Sequence, residues 1–89
     1  VYNSHAFFFR IYAAGPDGAL LAEITFPEKE GVAVIDHTFV HESLRGQGVA
    51  GKLMEEAVAA IEAQGWKVGA SCSYAVSWLE KRARREEKP

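Results

Sequence analysis

The chain has 89 residues, 48% of them apolar and 11% aromatic, with one cysteine and a net charge of −2. A chain this short buries only about 60–65% of its unfolded surface, yet one cysteine closes no internal disulfide, and Cys72 lacks paired-ligand spacing to His5, His37 or His41 for a structural zinc. Hydrophobic packing must therefore make the core, and the acidic balance excludes wholesale electrostatic binding to nucleic acid.

One domain over residues 1–89 is expected, with a frayed tail from about residue 86. Residues 5–13, aromatic and β-branched, predict a first strand. Gly15-Pro16-Asp17-Gly18 predicts a turn, since proline presets φ and glycine allows a positive one. Residues 19–26 place Leu20, Ala22, Ile24 and Phe26 on one face, a second strand paired by a hairpin. Pro27 ends it, and a turn over 28–31 leads to a third strand over 32–40, whose first four residues are apolar on both faces. The period then changes. Ala50, Leu53, Met54, Ala57, Val58 and Ile61 recur at helical intervals, predicting a helix over 49–64 with Gly65 as its C-terminal stop. Residues 66–72 predict a fourth strand, and 74–85 a second helix with Val76, Leu79 and Ala83 inward. Trp66 and Trp78 are expected in the core. The order β-β-β-α-β-α implies an α+β fold with a mixed sheet, an antiparallel meander followed by a right-handed parallel crossover.

No run approaches the roughly 18 apolar residues of a membrane span, and no basic stretch with a long apolar region opens the chain. A cytoplasmic protein with a free thiol, touching no membrane, is the expectation. Charge is uneven. Residues 1–44 hold two basic and six acidic groups, whereas 45–89 hold eight and six. The cluster Lys81, Arg82, Arg84 and Arg85 admits an RNA-binding reading, but cations also suit a solvated helix C-terminus. Nucleic acid is not the expected partner.

Chemistry concentrates where the third strand enters the first helix, at Arg45-Gly46-Gln47-Gly48-Val49-Ala50. Glycine costs about 1 kcal/mol against alanine in a helix. Glycines at a helix start make sense where backbone N–H groups must approach an anion such as a phosphate, with Arg45 and Lys52 nearby as matching charge. An ordinary turn that needs glycine for its conformation is the competing reading. The spacing is neither a P-loop nor a dinucleotide fingerprint.

These residues resemble the acetyl-CoA signature of the GNAT superfamily of N-acetyltransferases, Gln/Arg-x-x-Gly-x-Gly/Ala. The wider stretch Asp36-His37-Thr38, Leu44 to Gly48, Cys72-Ser73-Tyr74 and Trp78 is similar to the minimal GNAT-like proteins of the YjdJ type. The resemblance covers residues 20–80. It implies a small N-acetyltransferase that takes acetyl-CoA as co-substrate and an amine on a small molecule or protein as acceptor, without a metal, acting as a monomer or weak homodimer. Arg45, Gly46, Gln47, Gly48, Val49 and Ala50 then become the pyrophosphate cradle, and Val40 flanks the pantetheine arm. Tyr74 is a candidate to hydrogen-bond CoA or to donate to the leaving thiolate, or else an amphipathic core edge. The family's N-terminal helices and last strands have no counterpart, so a non-catalytic acyl-CoA binder or sensor is the alternative.

Cys72 falls at a strand-to-helix junction, and helix N-termini favour thiolate, the nucleophilic form. It is a candidate to accept or orient the acetyl group, or a small buried hydrophobe. His37 is the candidate general base, histidine being the side chain that titrates near neutrality. His41 shares its face, and Asp36 is the only acid on that strand.

Overall fold

A computed structural model describes residues 4–6 and 9–87. Strands β1 (Ser4–Ala6), β2 (Arg10–Ala14) and β3 (Leu20–Thr25) form an antiparallel run, with Ala6 opposite Ile11 and Ile11 opposite Ile24. The single strand expected over 5–13 is thus two strands that pair with each other; residues 7 and 8 between them lie outside the described residues. The predicted turn closes β2 onto β3 through Gly18 N–H to Gly15 O at 2.9 Å and Ala19 N–H to Asp17 Oδ1 at 3.0 Å.

A short hairpin follows, β4 (Glu28–Lys29) with β5 (Val32–Ile35). The nine-residue strand expected over 32–40 breaks at Asp36. Its first half, β5, pairs in parallel with β7 (Lys67–Ala70), Val32 opposite Lys67 and Ile35 opposite Ala70. Its second half, β6 (His37–Val40), pairs antiparallel with β3. The result is two sheets, a four-stranded β1-β2-β3-β6 and a three-stranded β4-β5-β7. Two groups hold the break. Thr25 donates its hydroxyl to Asp36 Oδ1 at 2.5 Å, and Asp36 N–H reaches Thr25 O at 3.2 Å. Ile35 O accepts from Ser71 N–H at 3.0 Å and Cys72 N–H at 3.4 Å, which ends the pairing with β7.

Helix α1 (Val49–Ala63) lies across β2, β3, β6 and β7. Its buried stripe is Val49, Leu53, Met54, Ala57, Val58 and Ile61, the predicted positions except that Val49 replaces Ala50 at the start. Facing it are Ile11, Ala13, Ala22, Ile24, Phe26, Ala33 and Ile35, the inward parity of each strand. The alanines at 13, 22 and 33 let the helix approach closely, and truncating Leu53 or Ile61 to alanine would cost about 2–5 kcal/mol. Gly65 ends the helix as expected. Its N–H bonds Glu62 O at 2.9 Å and Trp66 N–H bonds Ile61 O at 3.2 Å, the paired Schellman closure.

Helix α2 (Ser73–Glu87) packs on β7 and α1. Its inward face differs from the predicted one: Ala75 is fully buried and Trp78 and Leu79 are half-buried, whereas Val76 and Ala83 are exposed. Trp66 and Trp78 edge the core rather than fill it.

Candidate functional site

The break at Asp36 makes β6 an edge strand of its sheet. Beyond Ile35 the chain no longer follows β7, so β6 and the β7–α2 junction diverge toward the N-termini of α1 and α2. The chain leaves β6 through a one-turn 3-10 helix, Glu42–Leu44, capped by His41, whose Nδ1 accepts from Ser43 N–H at 3.1 Å. His41, an alternative base by parity, is therefore engaged in shaping this turn; its Nδ1 also lies 2.9 Å from Ser43 Oγ.

Residues 45–48 then form the tight loop into α1. Gly46 and Gly48 have φ of 81° and 75°, a region costly for other residues, and a Cβ added to either would meet nothing within 4 Å. Glycine is needed for conformation, and the space around it is open. Gly48 caps α1 without a side-chain hydrogen bond, and the first helical bond is Lys52 N–H to Gly48 O at 3.1 Å. The N–H groups of Val49, Ala50 and Gly51 thus precede the ladder, and no acidic side chain occupies the first turn. A cavity of about 180 Å3 opens there, lined by Val40, Leu44, Arg45, Gly46, Gly48, Val49, Ala50, Gly51 and Tyr74. Free N–H groups, the helix dipole and the Arg45 guanidinium make this a place for an anion.

Seven of the eight residues expected to hold a cofactor line this cavity. Gln47 does not; its Nε2 donates to Ser43 O at 3.3 Å, tying the loop to the turn before it. Leu44 and Gly51 join the lining. A glycine one turn into the helix, where alanine would be favoured by about 1 kcal/mol, is the sequence signal that could have found Gly51. Arg45 Nε donates to Val40 O at 3.4 Å, so the cation lies along the end of β6. Burial pushes the Tyr74 phenol above its usual value, so it remains a donor well past neutrality.

Cys72 is half-buried at the α2 N-terminus. Its Sγ accepts from Ala75 N–H at 3.4 Å and stands 3.7 Å from Thr38 Oγ1. Thr38 and Val40 share one face of β6. His37 points to the other face, exposed, with Nε2 3.4 Å from Glu23 Oε1, while the other carboxylate oxygen of Glu23 pairs with Arg10. The structure therefore brings Cys72 and the cavity to one side of β6 and His37 to the other. The sequence placed Thr38 only within the resembling stretch and gave Glu23 no site role, because each meets its partner through a contact between residues distant in the chain.

Comparison with known proteins decides the family. The model of the GCN5-related N-acetyl-transferases matches residues 9–87. The chain belongs to this family. A GCN5-like protein from Staphylococcus aureus is 32% identical with a TM-score of 0.76, covering 97% of this chain and 85% of that one. A GCN5-related N-acetyltransferase from Sphaerobacter thermophilus is 24% identical, TM-score 0.65, over 73% of this chain and 21% of its own. A ribosomal-protein-alanine N-acetyltransferase from Brucella melitensis is 24% identical, TM-score 0.55, over 70% of this chain and 49% of its own. The last two share the fold, and this chain spans less than half of their length. No curated protein matches the chain. Among the described residues, no helix is long and apolar enough to cross a membrane. As a GCN5-related N-acetyltransferase, the chain places its signature segment at a loop where open backbone, positive charge and a cavity coincide.

Proposed function

We propose that the chain binds acetyl-CoA at the loop 45–51 and transfers the acetyl group to an amine. The observation that carries this reading is the open α1 N-terminus, with two positive-φ glycines, an arginine and a cavity at the end of an edge strand. Acetyl-CoA supplies a thioester whose carbonyl an amine can attack, releasing the CoA thiol.

The chain's own residues then divide the work. The N–H groups of Val49, Ala50 and Gly51 hold the pyrophosphate, and Arg45 balances its charge. Val40 and the unpaired edge of β6 offer backbone groups to the amides of the pantetheine arm. Tyr74 donates a hydrogen bond from the far wall. His37 takes the proton from the acceptor amine, and the Glu23 carboxylate, 3.4 Å from its Nε2, balances the charge it gains. Cys72, beside Thr38 at the mouth of the divergence, orients the acetyl group or accepts it. The acceptor amine belongs to a small molecule or a protein side chain.

A non-catalytic acyl-CoA binder is the second reading, favoured by the separation of His37 and Cys72 on opposite faces of β6. Titrating the protein calorimetrically with CoA tests the shared premise, and absence of heat at millimolar CoA would sink both readings. Consumption of acetyl-CoA that accelerates with added amine then separates transferase from binder.

A further inference from the structure

The loop before α1 hangs from a histidine. His41 N–H donates to Leu21 O at 2.7 Å, which fixes its backbone to β3. Its ring Nδ1 accepts from Ser43 N–H at 3.1 Å and lies 2.9 Å from Ser43 Oγ. Ser43 O in turn accepts from Gln47 Nε2 at 3.3 Å, and Gln47 stands between the positive-φ glycines 46 and 48. Leu44 N–H returns to His41 O at 2.9 Å, and Leu44 lines the cavity. One imidazole thus sets the turn, and the turn holds both a wall of the cavity and the residue at the centre of the loop. The two glycines give this segment a freedom that these few bonds must remove.

We infer that His41 is a positioning residue for the cradle and that its Nδ1 makes CoA binding sensitive to protons. The inference rests on the CoA-binding reading above. Nδ1 accepts from a backbone N–H only while it carries no proton, and imidazolium is a donor at both nitrogens. Protonation therefore deletes the cap, sets two donors against each other and releases the residue to which Gln47 is tied. The usual capping residues, serine, threonine, aspartate and asparagine, keep an acceptor near neutrality. Histidine is the side chain whose acceptor is lost there. The charged groups around the ring have other partners or are exposed. Glu42 and Arg45 belong to its own turn; both are exposed, and Arg45 Nε donates to Val40 O. On β3, the acid that shares its face is Glu23, two residues beyond Leu21, and it is engaged by Arg10 and His37. Helix α1 has no acid in its first turn, and its first cation is Lys52.

The test is calorimetric titration of the whole chain with CoA at pH 8 and pH 5.5, in the wild type, His41→Asn and His41→Ala. Asparagine offers an acceptor to the N–H two residues on and gains no proton in this range. The position is exposed, and a thermal melt at each pH checks that the variants fold. At pH 8, His41→Ala should bind CoA about fivefold more weakly than the wild type, an effect of about 1 kcal/mol, as for loss of a cap. His41→Asn should stay within about twofold of the wild type. Between pH 8 and 5.5 the wild type should lose at least about threefold relative to His41→Asn. The phosphates of CoA, His5 and His37 titrate in both proteins, so the ratio isolates His41. A ratio that does not change with pH overturns the inference and leaves the CoA reading intact. So does an alanine variant that binds as the wild type does, or an asparagine variant as weak as the alanine one. A wild type that gains on His41→Asn at low pH overturns it too, because the imidazolium then attracts the anion instead of releasing the loop. Absence of CoA binding in every protein removes the CoA reading itself, and the inference with it.

Discussion

Two glycines at opposite ends of α1 allow the cradle to be tested against its own control. Gly48 and Gly65 have φ of 75° and 79°, and a Cβ on either meets nothing of the protein within 4 Å. Alanine at either position pays only for conformation. The left-handed region costs an L-residue roughly 1–2 kcal/mol, and the stiffer unfolded chain returns about 0.4–1 kcal/mol. The net loss is about 1 kcal/mol, or about 4–8 °C in Tm for a domain of this size. Gly48→Ala and Gly65→Ala should therefore melt alike. They should not bind alike. The methyl of Gly48→Ala enters the space through which the N–H groups of Val49 and Ala50 would meet a pyrophosphate, whereas that of Gly65→Ala points into solvent at the other end of the helix. Calorimetry should show CoA at least about tenfold weaker for Gly48→Ala, a 1.4 kcal/mol effect, and unchanged for Gly65→Ala. If the two variants lose stability equally and keep equal CoA affinity, the loop is an ordinary turn and the anion-site argument fails.

Further outcomes concern the groups around the acetyl position. Cys72→Ala removes the sulfur acceptor of Ala75 N–H and should destabilise α2 by about 1 kcal/mol, while Cys72→Ser keeps a cap; a serine variant with native stability and no turnover marks the thiol as reactive, and wild-type turnover in both variants clears it of any part. His37→Gln should slow acetyl transfer about 100-fold or more with CoA affinity unchanged, and Glu23→Gln should slow it less; full rates in both would place proton transfer elsewhere. Tyr74 gives a pH effect of known sign. Its phenol is raised by burial, so the unfolded chain ionises first, near pH 10. Stability from this group is intact below that pH and falls as pH rises through the folded value. Urea midpoints between about pH 8 and 11 should decline in the wild type and flatten in Tyr74→Phe; parallel curves would contradict the assignment.

What was legible in the sequence was local. The alternation of Ala22, Ile24 and Phe26 and the stripe from Leu53 to Ile61 each follow from one period, and the element order and signature segment are contiguous. What was not legible depends on distant partners. Nothing in Val32 to Val40 signals that one half pairs with β7 and the other with β3, because a strand that changes partners keeps its two-residue period. The hydrogen bonds at Ile35 O and Asp36 decide it, from Ser71, Cys72 and Thr25. The phase of α2 failed for a related reason. Val76, Leu79 and Ala83 make an acceptable helical stripe, and so do Ala75, Trp78, Leu79 and Arg82; the sequence alone does not tell which stripe meets β7 and α1. The structure buries Ala75 fully and leaves Val76 exposed.

The break at Asp36 shapes the candidate site. A continuous strand paired on both sides along its length would leave no backbone edge for an extended ligand. By giving 32–35 to β7 and 37–40 to β3, the fold spends one strand twice and opens β6 on the side where both helices begin. The Thr25–Asp36 hydrogen bond and the forked bonds at Ile35 O hold that opening without any additional element. The same economy separates His37 from Cys72, since neighbouring residues of an edge strand face opposite ways. On the proposed reading, an amine that reaches the thioester from the His37 face passes the edge of β6, so the gap proposed for CoA would also set the side from which an acceptor approaches.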